Sequence, residues 1–216
     1  MPNSSDWLSV AINLLIAIGT LAVAIVAIWG DWIRSKLVPP KLRLHLYNPR
    51  GEIIHMQGNR DAIYYHLRLV NHRPWSIARN CRVNLRAMHR RSPDQRFYPL
   101  VFAVIPQFIW TPSEFTPQTV DLSAEHMLDF GRLVEGESQF QPLLYFVPNN
   151  FDGYLKPNDA IRYSLEITAD GYKAKRFQVF EVAWNGEWTD NLDKMQHNLV
   201  ITEILDPDDR IATNVV

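Results

Sequence analysis

Twelve lysines and arginines stand against three acidic residues between positions 41 and 96. Their spacing is ordered. Lys41, Arg43 and His45, then His66 and Arg68, then Arg82, Arg86 and Arg90 alternate with apolar neighbours. Strand periodicity sends alternate residues to opposite faces, so each basic set falls on the outward face of its strand. If the three strands share a sheet, they form an arginine-rich platform. Arginine forks match phosphate oxygens in pairs, and Tyr47 and Tyr64 on the same face can stack on a base. Arg43, Arg68, Arg82 and Arg86 are therefore the candidate residues for an anionic ligand of nucleotide or oligonucleotide type. Two plainer uses compete: contact with anionic lipid headgroups, and a solvated face neutralised by acidic residues within one fold or across subunits. Residues 97–216 supply that acidity, with eight Lys/Arg against eighteen Asp/Glu, so the net charge of −1 conceals two opposed halves.

A second patterned set lies in an apolar run. No residue between Asp6 and Asp31 is charged, a span of roughly 36 Å as a helix, against about 30 Å of bilayer hydrocarbon. Trp7 stands at one end and Trp29 and Trp32 at the other, where indoles favour the headgroup levels. The reading is a transmembrane helix over 7–30, preceded by a short extracytoplasmic tail (1–6) and followed by a juxtamembrane linker (31–40). A cleaved signal peptide would need positive charge before the run and a shorter core. Arg34, Lys36, Lys41 and Arg43 follow the span, which places the rest of the chain in the cytoplasm. The single cysteine, Cys81, agrees with a reducing compartment. At 100° per residue Ser9, Asn13, Ala17, Thr20, Ala24 and Ala27 share one arc, continued by Asp31. Small and hydroxyl residues allow close helix approach, and an amide in lipid seeks a partner, so a homo-oligomer is expected. The same stripe around an axis would line a narrow pore with an acidic cytoplasmic mouth. A packed, non-conducting bundle would use it equally well.

Catalytic spacing is absent. The chain has no GxSxG elbow, GxGxxG turn, phosphate loop or HExxH. Asp129-Phe130-Gly131 matches a kinase tripeptide without its companion motifs, and the seven histidines are dispersed. A non-enzymatic protein is expected, with no metal site and no cofactor.

The elements that must position these residues are mostly strands. Leu42, Leu44 and Leu46; Ile63, Tyr65, Leu67 and Leu69; Cys81, Val83, Leu85 and Ala87; and Ile161, Tyr163, Leu165 and Ile167 each alternate with polar residues. Turn signals separate them at 48–51, 72–74 and 148–150, and Asp170-Gly171 reads as a hairpin. Val38-Pro39-Pro40 ends the first helix. The expectation is a mainly β chain: the N-terminal transmembrane helix, then an antiparallel immunoglobulin-like β-sandwich of seven to nine strands over 41–216. Segment 97–111, apolar but broken by Pro99 and Pro106, reads as an interior strand or a hydrophobic surface. Thr189-Asp190 can cap a short helix through Leu192, Met195 and Leu199.

The join WGDWIRSKLVPPKLRL and the strand FEVAWNGEW resemble bacterial single-span membrane proteins with a cytoplasmic β-domain. In layout the chain is also similar to small anti-phage membrane effectors. That resemblance implies a bacterial inner-membrane location and a channel-like effector, whose β-domain senses a nucleotide-type ligand or a partner. The alternative is a membrane-tethered adaptor that binds a cytoplasmic protein. Expected partners are thus membrane lipid, other copies of the chain, and a nucleotide or a cytoplasmic protein.

Overall fold

The computed structural model describes residues 4–56, 58, 60–112 and 117–204, without the side chains of 4–6 and 31–37. It divides into two compact units, Met1–Pro39 and Pro40–Val216. The first is a single helix, α1, Ser4–Leu37. Its segment Trp7–Gly30 is long and apolar enough to cross a membrane. Helix therefore continues past the expected boundary at Gly30, through most of the stretch read as a linker. It stops where Pro39 and Pro40 would remove backbone donors.

Among the described residues the second unit has thirteen strands and one short helix. In chain order the strands are β1 (Leu42–Leu46), β2 (Glu52–Met56), β3 (Arg60–Asn71), β4 (Ala78–Arg91), β5 (Phe97–Leu100), β6 (Ile109–Trp110), β7 (Val120–Leu122), β8 (Glu125–Val134), β9 (Phe140–Pro142), β10 (Asp159–Ala169), β11 (Tyr172–Lys173), β12 (Gln178–Trp184) and β13 (Leu199–Ile204). One sheet runs β1-β3-β8-β6, with β2 beside β3 and β9 beside β8. The other runs β13-β12-β10-β4-β5, with β11 beside β10 and β7 beside β4. All pairings are antiparallel. These orders follow the immunoglobulin plan, A-B-E-D facing G-F-C, with β13 added beyond the last strand. The count exceeds the expected seven to nine because five strands hold only two to four residues on the sheet margins.

The alternation works as expected over most of its length. Ile63, Tyr65, Leu67 and Leu69 of β3 face Cys81, Val83 and Leu85 of β4 and Ile161, Tyr163, Leu165 and Ile167 of β10 across one buried core. Tyr163 donates its hydroxyl to the Gly153 carbonyl at 2.7 Å, tying β10 to the segment that leads into it; burial pushes this phenol's pKa upward. At one lateral edge the Gln178 side-chain amide accepts from Leu44 N (2.7 Å) and donates to Leu44 O (3.1 Å), bridging β12 to β1. Asp170-Gly171 forms the expected tight turn between β10 and β11. Segment 97–111 supplies both β5 and β6, while Val101, Val104 and Ile105 between them are exposed. Helix α2, Leu192–Asn198, is capped by Asn191, whose Oδ1 accepts from Lys194 N at 3.2 Å. Thr189 instead accepts from Asn191 N, so it supports the cap without being it.

Candidate anion-binding cleft

The four predicted arginines do not share a face. β1 and β3 carry Arg43 and Arg68 in one sheet, while β4 carries Arg82 and Arg86 in the other. Alternation assigns a residue to a face of its strand but is silent about which sheet that strand joins. Most of these charges are also answered locally. Arg43 pairs with Glu203 at 3.0 Å, Arg68 with Glu125 at 3.4 Å, and Arg86 with the buried Glu166 at 3.8 Å. Arg82 is exposed.

Two further members of the supposed platform are taken up locally: Arg90 turns inward, and His66 stays on the outer face of β3 but is covered there beside Tyr64. β4 carries a bulge against Ser164/Leu165 of β10, where Leu85 and Ala87 are partnered and Arg86 is the extra residue. The extra residue reverses the parity beyond it. Met88 is thereby buried, and Arg90 reaches Asp152 (2.7 Å), Asp159 (3.0 Å) and the Tyr154 carbonyl (2.8 Å). His66 is only 6% exposed; its Nδ1 lies 2.9 Å from Asp129, which also accepts from Thr111 at 2.6 Å. The Asp129-Phe130-Gly131 tripeptide thus has structural duties. Asp129 pairs with His66, Phe130 fills the core, and Gly131 leaves room for the Phe140 ring.

What does converge is a cleft of about 370 Å³ at the end of the sandwich where β1 begins, lined by Lys41, Arg43, His72, Arg73 and Trp75. Only Arg43 belongs to the predicted set. Lys41 immediately precedes β1 and Arg43 lies within it, and the other three come from the connector between β3 and β4. The connector is held by Asn71, the last residue of β3, which is 3% exposed. Its Oδ1 accepts from Arg73 N (3.0 Å) and Lys41 N (3.4 Å), and its Nδ2 donates to Ser76 O (2.8 Å) and Leu122 O (3.3 Å). One buried amide therefore uses all four of its hydrogen-bonding positions on backbone, fixing both walls of the cleft. His72 N donates to Lys41 O at 2.8 Å and Ser76 N to Arg73 O at 2.8 Å.

The cleft lining is rich in basic side chains, and an acidic residue engages one of them. Glu203 of β13 engages Arg43, and Lys41 and Arg73 are the other cationic side chains of the lining. His45 stands edge-on to His72, ring centroids 6.0 Å apart. Burial holds its pKa below the usual 6.5; Glu203 opposes that shift, while Arg43, His72 and Arg68 add to it. A lysine ammonium, arginine forks and an exposed indole suit a phosphate-bearing group with an adjoining apolar or aromatic portion. The sequence offered a turn signal here, and an exposed tryptophan after His72-Arg73-Pro74 was the overlooked sign. Among the described residues no group of three or more His, Cys, Asp or Glu could hold a metal ion.

In the helical unit Ser9, Asn13, Ala17, Thr20, Ala24 and Ala27 are all exposed. The Thr20 hydroxyl donates to Ile16 O at 2.9 Å, so it is satisfied within its own helix. The Asp31 side chain lies outside the described residues. The chain matches no protein-family model, and neither a curated protein nor a solved structure matches it significantly.

Proposed function

We propose that this chain is a membrane-anchored, non-enzymatic binding module whose immunoglobulin-like domain takes a phosphate-bearing anion in the Lys41–Trp75 cleft. The observation that carries the reading is the meeting of Lys41, Arg43, His72 and Arg73 with Trp75 in one cleft held by Asn71. α1 is the anchor: it crosses the inner membrane of a bacterium, and Arg34, Lys36, Lys41 and Arg43 keep the domain in the cytoplasm. The spans self-associate through the Ser9–Asn13–Thr20 face, because an Asn13 amide facing lipid is costly until a second copy supplies its partner. Calorimetry of the full chain in detergent against pyrophosphate and a short oligonucleotide tests the cleft. Binding that weakens with salt and with Lys41→Gln/Arg73→Gln supports it. No binding of either probe, or binding indifferent to the substitutions, refutes it.

A second reading, the channel-like effector of an anti-phage system, is favoured by the exposed Asn13 within the uncharged segment Trp7–Gly30. It differs in one measurable respect: ligand-dependent ion flux in liposomes, which an anchor does not give.

A further inference from the structure

We propose that the β3–β4 end of the domain docks on the anionic headgroup layer of the bilayer that α1 crosses, with Trp75 and Ile77 seated at the interface. This rests on the reading of the cleft as an anion site and names the source of the anion. Trp75 is 60% exposed and Ile77 55% exposed, both on the short connector 72–77. A large indole and a branched aliphatic side chain at a turn tip thus stand outside the buried core. At a headgroup boundary both are favoured, the indole for its apolar body and polar edge. Basic side chains ring them, with Lys41, Arg43, His72 and Arg73 in the adjoining cleft and Arg79 exposed at the start of β4. Each lysine or arginine near an anionic leaflet contributes attraction that reaches about one Debye length.

Charge distinguishes this end from the other apolar surface of the domain. Val101, Val104 and Ile105, with Tyr145, Phe146 and Val147, are also exposed, but segments 101–107 and 143–147 hold no charged residue. That surface offers nothing to a phosphate headgroup. The connector is moreover held in place by Asn71 and by the Ser76 N to Arg73 O bond, so Trp75 and Ile77 are presented with little ordering cost. Lys41 follows Gly30 by only eleven residues, which keeps the cleft at high effective concentration near the leaflet.

The test uses the full chain in nanodiscs of phosphatidylcholine alone or mixed with phosphatidylglycerol. Ile77→Cys is labelled with an environment-sensitive fluorophore, Cys81 being buried and therefore unlabelled in the folded domain. Anionic discs should shift the emission to the blue relative to neutral discs. Lys41→Gln/Arg73→Gln should remove that shift, since two lost charges lower the docked-to-undocked ratio roughly 30-fold at about 1 kcal/mol each. Trp75→Ser should reduce it with the charges intact. Identical emission in both discs, or a shift that survives the double substitution, overturns the proposal. If the discs fail while pyrophosphate still binds the wild type and not the double variant, the cleft reading stands and the lipid source falls. If pyrophosphate fails as well, both fall.

Discussion

Asn71→Ala should both destabilise the domain and loosen the cleft, because one side chain serves four backbone groups: two in the connector 72–77, Lys41 just before β1, and Leu122 at the end of β7. Two of its bonds are short, to Arg73 N (3.0 Å) and Ser76 O (2.8 Å), and two are long, to Leu122 O (3.3 Å) and Lys41 N (3.4 Å). A net contribution of about 1 kcal/mol for each short bond, and less for each long one, gives roughly 2–3 kcal/mol. The penalty of an unsatisfied buried group adds to this, since Ser76 is only 5% exposed, so the figure is a lower bound. Against a total stability of about 5–15 kcal/mol this is a large fraction. It corresponds to a fall in Tm of roughly 4–12 °C for a domain of this size. Urea denaturation followed by circular dichroism measures the loss directly. Asn71→Asp keeps the acceptors but turns a carboxylate oxygen toward the Ser76 and Leu122 carbonyls in a buried position, so it should cost at least as much. Pyrophosphate binding should fall in Asn71→Ala even at temperatures where the domain is fully folded. A variant within about 0.5 kcal/mol of wild type would refute the assignment of Asn71 as the residue that holds the cleft.

Gly131→Ala should cost about 1–3 kcal/mol or more, since its Cβ would enter the Phe140 ring and meet the Gln141 carbonyl at 2.9 Å; thermal melts check this, and an unchanged Tm contradicts the packing. Cys81, whose thiol burial pushes up to about 12 with Asp121 and Asp170 adding to the shift, should resist alkylation in the folded domain and react once urea unfolds it. Burial lowers the pKa of His45 and of His89, the latter aided by Arg162, so the unfolded chain takes up these protons first. Their contribution is complete above about pH 6.5 and is lost as pH falls through the lowered folded values. Urea titrations stepped from neutral to mildly acidic pH should show falling stability, and His89→Gln should flatten the slope.

The helix and the strands were legible because each has a strong local signature. Twenty-four uncharged residues define the span, and period-two runs such as Ile63–Leu69 define half-buried strands. Sheet membership was not legible, because it depends on which strand β4 pairs with, and β10 lies some seventy-five residues downstream. The bulge at Arg86 was equally hidden, and it alone moved Arg90 from a solvated face to a cluster with Asp152 and Asp159. The cleft was partly legible: Arg43 was one of the four candidate ligand residues, and Lys41 stood in the wider row of basic residues. His72, Arg73 and Trp75 lay in a segment read only as a turn, and only folding brings them beside β1. Glu203, which engages Arg43, is one hundred and sixty residues away in sequence.

That acidic neighbour supplies the most direct test of the cleft as an anion site. Pyrophosphate affinity is measured by calorimetry for the wild type, for Glu203→Gln and for Lys41→Gln/Arg73→Gln. Glu203→Gln removes a negative charge and releases Arg43, so affinity should rise about fivefold, at roughly 1 kcal/mol for an exposed charge contact. The double substitution should lower it by roughly 30-fold on the same basis. Opposite movements of these sizes are what the account predicts; affinities that do not change, or that change in the same direction, would contradict it.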